Sequence, residues 1–208
     1  MSAPIYAINE VFYSLQGEGA RAGTANVFVR FAACNLRCSV EPGERSPGGF
    51  DCDTEFTSGR PMTGDEVLLE AVRLVGTVRA DTGVIFTGGE PAMQLDQDLV
   101  KAFKERGFFT AIETNGTYDV DALGLDWITL SPKVATHAIR VRRPDEVKYV
   151  RGRGQGIPQG WPGAYQYISP AACGDVIDRE ALAWCIDLVK ANPQWRLSVQ
   201  QHKFWRVR

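Results

Sequence analysis

Two features that many proteins carry are missing from this sequence: a long hydrophobic run and a strong net charge. No apolar stretch approaches the roughly 20 residues of a membrane-spanning helix, so we expect no membrane contact. The chain reaches Asn9 and Glu10 before a signal peptide could form, so we expect a cytoplasmic location. The 23 basic and 25 acidic residues give a net charge of −2, which argues against a nucleic-acid partner.

Internal repeats, interdomain linkers and compositional bias are also absent. The 208 residues are 44% hydrophobic and 23% charged, which is typical of folded globular proteins and not of disordered ones. This length suits one domain with a full hydrophobic core, so we expect a single domain over residues 1–208. Residues 39–50 are rich in proline and glycine, which predicts a surface excursion.

The sequence contains five cysteines, and an odd number without a signal peptide argues against a disulfide framework. Cys185 falls on the apolar face of a predicted helix, and Cys173 lies in a predicted loop without an assigned role. Cys34, Cys38 and Cys52 instead lie within nineteen residues, after an apolar run. Three thiolates on one loop suit zinc or an iron–sulfur cluster and leave one coordination position open; three unrelated thiols are the alternative.

Short apolar runs alternate with helical patterns along the chain, which predicts parallel β/α units. Helices are predicted over residues 64–76, where Thr63 and Glu66 form a capping box, and over 96–106 and 178–191. The predicted strands are residues 26–31, 84–87, 108–113, 127–130, 146–150, 165–168 and 196–199.

The predicted fold class is α/β, a partial β/α barrel with parallel strands and an irregular carboxy-terminal part. A complete eight-unit barrel takes about 250 residues, which is more than this chain has. Residues 132–164 carry little helical periodicity. Ligands bind at the carboxyl ends of parallel strands, and polar or glycine-rich segments lie at the ends of the predicted strands: CNLRC (34–38), TGGEP (87–91), ETNGT (113–117), SPK (131–133), SP (169–170) and QQHK (200–203).

Three sequence motifs resemble those of the radical S-adenosylmethionine (SAM) superfamily. They are the cysteines of CNLRC, the CDT segment at 52–54 and the GGEP turn at 88–91. The usual superfamily pattern is C-x3-C-x2-C, whereas thirteen residues here separate Cys38 from Cys52. We interpret residues 39–50 as an insertion that lengthens the second gap. The resemblance implies a partial barrel of the radical SAM type.

Further motifs narrow the resemblance to the 7-carboxy-7-deazaguanine synthases. They are SLQGEG (14–19), VRF (29–31), CDT, TGGEP, ETNGT, SPK and the HK at 202–203. Members of that family are radical SAM lyases of queuosine and 7-deazapurine biosynthesis, and queuosine is a tRNA modification. The resemblance implies conversion of 6-carboxy-5,6,7,8-tetrahydropterin to 7-carboxy-7-deazaguanine, with loss of ammonia and through a 5′-deoxyadenosyl radical.

The resemblance also implies cofactors and site residues. It implies a 4Fe–4S cluster on Cys34, Cys38 and Cys52, a Mg²⁺ ion on Thr54, and no side chain with a catalytic role of its own, because the cofactors carry the chemistry. SAM would contact Asp51, Asp53, Gly89, Glu90, Ser131, Pro132, Lys133, Ser169, Pro170, Ala171 and Ala172. The pterin would contact Leu15, Gln16, Gly17, Arg30, Thr87, His202 and Arg208.

Taken by themselves, some of these residues have plainer readings. Thr54 fits a turn, and residues 15–17 fit a simple glycine-containing loop. Arg30 alternates with apolar neighbours on a strand, so it faces either an anion inside the barrel or solvent. His202 fits a structural histidine on the last strand. The phenyl ring that usually precedes the third cysteine is replaced by Asp51, with Phe50 one position earlier.

The resemblance implies a homodimer and a reductant such as a flavodoxin or a ferredoxin. Two other functions compete with the synthase. One is a different small radical SAM enzyme, such as an activase that makes a glycyl radical on a partner protein. The other is a non-catalytic iron–sulfur or zinc protein, in which the cysteines only staple the fold and GGEP and SPK have no explanation.

Overall fold

Eleven strands and four α-helices make up the part of the chain that the computed structural model describes, namely residues 4–36, 38, 52, 54–173 and 176–208. The predicted insertion at 39–50 lies outside these residues. The helices are α1 (Gly64–Val75), α2 (Gln97–Glu105), α3 (Arg179–Ala191) and α4 (Gln201–Trp205). The strands are β1 (Ile5–Leu15), β2 (Ala25–Phe31), β3 (Arg60–Thr63), β4 (Gly83–Gly88), β5 (Phe109–Thr114), β6 (Trp127–Leu130), β7 (Glu146–Arg151), β8 (Tyr165–Pro170), β9 (Ala172–Cys173), β10 (Val176–Ile177) and β11 (Arg196–Leu197).

Nine of the strands form one sheet in the order β11-β8-β7-β6-β5-β4-β2-β1-β3. All neighbouring pairs from β2 to β11 are parallel, whereas β1 is antiparallel to both β2 and β3. The remaining two strands, β9 and β10, form a small hairpin. The predicted α/β class with a mainly parallel sheet is confirmed, and the seven predicted strands lie within two residues of the observed bounds.

Local sequence signals explain where the three long helices begin. Thr63 and Glu66 form the predicted capping box at the start of α1. Asp96 caps α2 by accepting from the backbone of Leu99, and Asp178 caps α3 in the same manner. These side chains satisfy amides that the first helical turn leaves without partners.

Strands β1, β3, β9 and β10 and the short helix α4 were not predicted. Cys173, expected in a loop, ends β9, and His202, which could be read as part of the last strand, lies in α4.

The main hydrophobic core lies between the sheet and helices α1, α2 and α3. Its centre is a chain of rings in which Phe86 contacts Phe103 edge-on, with ring centroids 5.4 Å apart, and Phe103 contacts Phe108. The connections β5–β6, β6–β7 and β7–β8 contain no α-helix in the described residues, as the weak periodicity of residues 132–164 indicated. Loop residues such as Val120 and Val141 cover the sheet there instead.

Residues 16–24, which we name the crossing loop, pass beneath the amino-terminal ends of the parallel strands. The Arg21 guanidinium lies 3.9 Å from the ring centre of Phe109, the first residue of β5. The amide of Ala20 donates to Glu146, the first residue of β7, at 2.8 Å. The crossing loop therefore closes one end of the partial barrel. No helix in the described ranges is long and apolar enough to cross a membrane.

Candidate active site

A cleft of about 450 Å³ opens at the carboxyl ends of the parallel strands. The contacts of the crossing loop with Phe109 and Glu146 lie at the opposite ends of these strands. The cleft is lined by residues from β1, β2, β4, β5, β7 and β8 and from the segments that follow β6 and β11. The lining includes the predicted residues Leu15, Gln16, Gly17, Arg30, Cys34, Cys38, Cys52, Thr54, Thr87, Gly89, Ser131, Lys133, Ser169, Pro170, Ala171, Ala172, His202 and Arg208. Asp51 and Asp53, which were also predicted to contact SAM, lie outside the described residues.

The three clustered cysteines share one wall of this cleft. Cys34 and Cys38 are half-buried and Cys52 is exposed, and burial raises the pKa of the Cys34 and Cys38 thiols. Among the described residues, no three metal-ligating side chains are already gathered around one point. The donor set itself, three thiols with no histidine or carboxylate among them, fits an iron–sulfur cluster better than it fits a hard cation.

The GGEP turn packs directly against the start of the cysteine loop. Gly88 has a φ of 129°, and a Cβ on Gly89 would overlap the carbonyl oxygen of Ala33. The amide of Glu90 donates to that same oxygen at 2.9 Å. Ala33 itself has a left-handed φ of 71°, immediately before Cys34. The turn and the first cysteine are therefore held in one rigid arrangement.

Glu90 lies below the cleft and not on its wall. Its carboxylate is fully buried and accepts from the Thr114 hydroxyl at 2.6 Å and from the Asn115 amide at 2.7 Å. Burial raises the pKa of Glu90, and the hydrogen bonds oppose that shift. Pro132 is also buried away from the lining. Both predicted SAM contacts lie behind the wall, where they support neighbouring lining residues.

The other strand ends place polar groups around the rim. Lys133 donates to the Ser131 hydroxyl at 2.7 Å, and that hydroxyl donates to the carbonyl of Lys148 at 3.1 Å. Residues 169–172 continue the same wall from the end of β8. Thr54 lies beside Cys52, whose sulfur is 3.7 Å from the Thr54 carbonyl oxygen.

The opposite wall carries an aromatic pair and an arginine on the inner face of β1 and β2. The rings of Phe12 and Phe28 stack with centroids 5.0 Å apart. Arg30 faces the cleft, and its Nε donates to Glu10 at 2.9 Å. The second oxygen of Glu10 accepts from Arg208 at 2.6 Å. The interior position of Arg30 agrees with the interpretation that it meets an anion.

Sequence reasoning missed a group of buried charges in the cleft. Lys148 is only 6% exposed in its side chain and pairs with Glu18 and, at 3.5 Å, with Glu113. Gln16 donates to the other oxygen of Glu113 at 2.8 Å. The sequence signal that could have revealed this group is Lys148 itself, a charged residue between apolar neighbours on a predicted strand. Its burial depends on a partner 130 positions away.

Comparisons with known proteins agree with this geometry. No family model matches the chain. A 7-carboxy-7-deazaguanine synthase from Bacteroides thetaiotaomicron is 38% identical, over 97% of this chain and 98% of that protein. One from Bradyrhizobium diazoefficiens is 39% identical, over 98% of this chain and 99% of that protein. The chain belongs to the 7-carboxy-7-deazaguanine synthase family. The family predicted from the motifs is therefore confirmed.

The fold of this synthase family member agrees with a solved structure as well. The crystal structure of QueE from Escherichia coli superposes with a TM-score of 0.69 at 26% identity, over 95% of each chain. The predicted partial barrel is thereby confirmed. Membership in an enzyme family excludes a non-catalytic metal protein, and it disfavours the glycyl-radical activase.

Proposed function

We propose that this chain converts 6-carboxy-5,6,7,8-tetrahydropterin to 7-carboxy-7-deazaguanine, with loss of ammonia, as a radical SAM lyase. The observation that supports the proposal is the composition of a single cleft. It combines three cysteines, the GGEP and SPK strand ends, and the polar and aromatic wall of β1 and β2. A nitrogen-rich heterocycle with a carboxylate needs both kinds of surface, flat apolar contact and charged polar groups.

Cys34, Cys38 and Cys52 would hold a 4Fe–4S cluster. When bound, the cluster and SAM supply a 5′-deoxyadenosyl radical that takes a hydrogen atom from the substrate. The proposed SAM contacts on the lining are Gly89, Ser131, Lys133 and residues 169–172, and Asp51, Asp53, Glu90 and Pro132 remain predictions. Thr54 is the proposed protein ligand of a Mg²⁺ ion, which binds few protein groups and otherwise keeps water or substrate oxygens.

The remaining lining residues bind and shield the pterin in this proposal. Arg30 supplies positive charge for the substrate carboxylate, because an interior guanidinium is stable only beside anions. Leu15, Gln16 and Gly17 present backbone and amide groups to the ring edge. Thr87 contacts the ring from β4. His202 and Arg208 would cover the ligand and limit access of water to it.

The test is an anaerobic assay with reconstituted protein, a strong reductant, SAM and the carboxytetrahydropterin. We expect a brown protein with about four irons per chain and formation of the deazapurine. Single Cys→Ala changes at Cys34, Cys38 and Cys52 should each remove most of the bound iron and all activity. Cys185→Ala is the matched control, since this thiol lies on the buried face of α3 and its removal should leave both unchanged. Iron-loaded protein that forms no deazapurine would contradict the proposal.

Family membership also supports a homodimer and an electron donor such as a flavodoxin or a ferredoxin in the cytoplasm. Light scattering during anaerobic size-exclusion chromatography measures the assembly state of the loaded protein. We expect twice the 22.9 kDa of one chain, and a monomer at working concentration would contradict the dimer.

A further inference from the structure

We infer that Lys148 is a positioning residue that keeps the carboxylates of Glu18 and Glu113 ionised and aimed at the pterin ring as hydrogen-bond acceptors. The inference rests on the proposed function, and it assigns a role to a residue on no recognised motif. Lys148 is the third residue of β7 and lines the cleft. It lies between the wall formed by β1 and β2 and the wall formed by Ser131, Lys133 and residues 169–172.

The geometry makes this ammonium the shared partner of two carboxylates. Its Nζ donates to Glu18 from the crossing loop and lies 3.5 Å from Glu113 on β5. The side chains of Glu18 and Glu113 are 12% and 25% exposed. All three residues line the cleft. Lys148 therefore connects two elements that approach the ligand space from different sides.

The charges depend on one another. Burial alone raises the pKa of Glu18, but the Lys148 charge and its hydrogen bond bring that pKa below the usual value. Burial lowers the pKa of Lys148, yet the charges of Glu113 and Glu18 raise it above the usual value. Two neighbouring charged groups add to the field, namely Glu146 on β7 and His202, which faces Glu18, and a hydrogen bond from Gln200 also lowers the Glu18 pKa. Without the ammonium, Glu18 becomes a buried carboxyl beside other carboxylates, which favours its protonated form.

The ionisation state matters because of what a pterin presents. Its amino group and ring N–H groups are donors, so they need acceptors on the protein, and a carboxylate is acceptor-only while a protonated carboxyl is partly a donor. Gln16 donates to one oxygen of Glu113 and Lys148 donates to the other, and together they fix the orientation of the carboxylate. Each carboxylate oxygen accepts more than one hydrogen bond, so acceptor capacity remains for the ligand.

The experiment measures substrate affinity against pH. The dissociation constant of the carboxytetrahydropterin is determined by anaerobic calorimetry on cluster-loaded protein with SAM and no reductant, from about pH 6 to about pH 8.5. For Lys148→Met we expect the substrate affinity to be at least about tenfold weaker than that of wild type at the lowest pH, and to recover toward the wild-type affinity at the highest pH. The sign follows because a raised Glu18 pKa loses the acceptor as pH falls. Lys148→Arg keeps the charge and should follow the wild-type profile.

Two further variants separate this role from simple support of the fold. Glu18→Gln in the Lys148→Met background removes the titrating carboxyl, so its affinity should no longer recover at high pH. Lys190→Met, an exposed lysine on α3, should match wild type throughout. All variants keep His202, so loss of the high-pH recovery on Glu18→Gln assigns the pH dependence to Glu18 and not to His202. If Lys148→Met folds poorly, Lys148→Gln carries the same expectation.

A loss of affinity in Lys148→Met that is equal at every pH, or no loss, overturns the inference. That result leaves the proposed function intact as long as wild-type protein forms the deazapurine. Wild-type protein that neither binds nor converts the carboxytetrahydropterin overturns the proposed function itself, so the two failures are distinguishable.

Discussion

At the scale of single residues, the contact between Gly89 and Ala33 joins the GGEP turn to the start of the cysteine loop. Ala33 adopts a left-handed backbone conformation, which costs an L-residue about 1–2 kcal/mol. Its amide donates to Phe56 and its carbonyl accepts from Glu90, so the surrounding structure fixes it there. The position of Cys34 thus depends on the strained conformation of Ala33. The carbonyl oxygen of Ala33 also occupies the space that a side chain at Gly89 would need.

Gly89→Ala should therefore lower both stability and bound iron. The added Cβ overlaps the Ala33 oxygen, and relief of such overpacking costs about 1–3 kcal/mol. Urea unfolding and iron analysis measure the two effects. Gly156→Ala is the matched control, because nothing lies near its Cβ position and its φ is not positive. Wild-type stability and iron content in Gly89→Ala would contradict this role of the turn.

Short motifs made most of the lining residues predictable, because strand ends carry them in local sequence. Gly89, Ser131 and Ser169 each follow a recognisable apolar run. Glu90 shows the limit of a motif, since its carboxylate turns inward to Thr114 and Asn115 and not toward the cleft. Lys148 carries a local signal, a charge between apolar neighbours on a strand, but its burial could not be predicted because it depends on the fold bringing the crossing loop to β7.

At the scale of elements, helix α4 packs against the part of the crossing loop that lines the cleft. The amide of Gln201 donates to the carbonyl of Gly17 at 3.0 Å. The ring of His202 fills the position where Gly17 would carry a Cβ. Helix α4 has only five residues, too few to be stable in isolation. Its position therefore depends on this contact with the crossing loop.

Gly17→Ala should displace the His202 ring and shift α4 without disturbing the cluster. We expect the KM for the pterin to rise about tenfold, which corresponds to about 1.4 kcal/mol. Bound iron should stay at the wild-type level, because the cysteine loop is not touched. Steady-state kinetics gives the KM, and Gly152→Ala, with no close neighbour at its Cβ position, serves as control. An unchanged KM would show that His202 moves aside freely.

Elements with regular periodicity were predictable, and the irregular ones were not. The parallel strands carry continuous apolar runs, which gave their positions. Strand β1 contains a register shift between Ile8 and Glu10, and this irregularity breaks the alternation of buried and exposed residues. Strand β3 is a four-residue edge strand that contains Pro61. Helix α4 is too short to show a helical period.

At the scale of the whole molecule, the carboxy terminus returns to the first strand. The carbonyl of Arg208 accepts from the Ser14 hydroxyl at 2.6 Å, and its guanidinium pairs with Glu10. Glu10 also binds Arg30, so one carboxylate connects the chain end to the proposed substrate arginine. The single-domain prediction for residues 1–208 is consistent with these long-range contacts but stays a prediction.

Arg208→Ala should weaken pterin binding with little effect on stability. Its side chain is 71% exposed, and exposed ion pairs contribute about 0–1 kcal/mol. Calorimetric binding and urea unfolding measure the two effects. Arg153→Ala, another exposed arginine paired with a glutamate, is the matched control. Unchanged affinity in Arg208→Ala would contradict a role of this residue in pterin binding.

The amino-terminal end of the barrel also affects the order in which ligands bind. Because the crossing loop covers that end among the described residues, ligands of the cleft enter from the carboxyl ends of the strands. We therefore expect ordered binding, in which a ligand held near the crossing loop binds before, and leaves after, a ligand held nearer the cysteines.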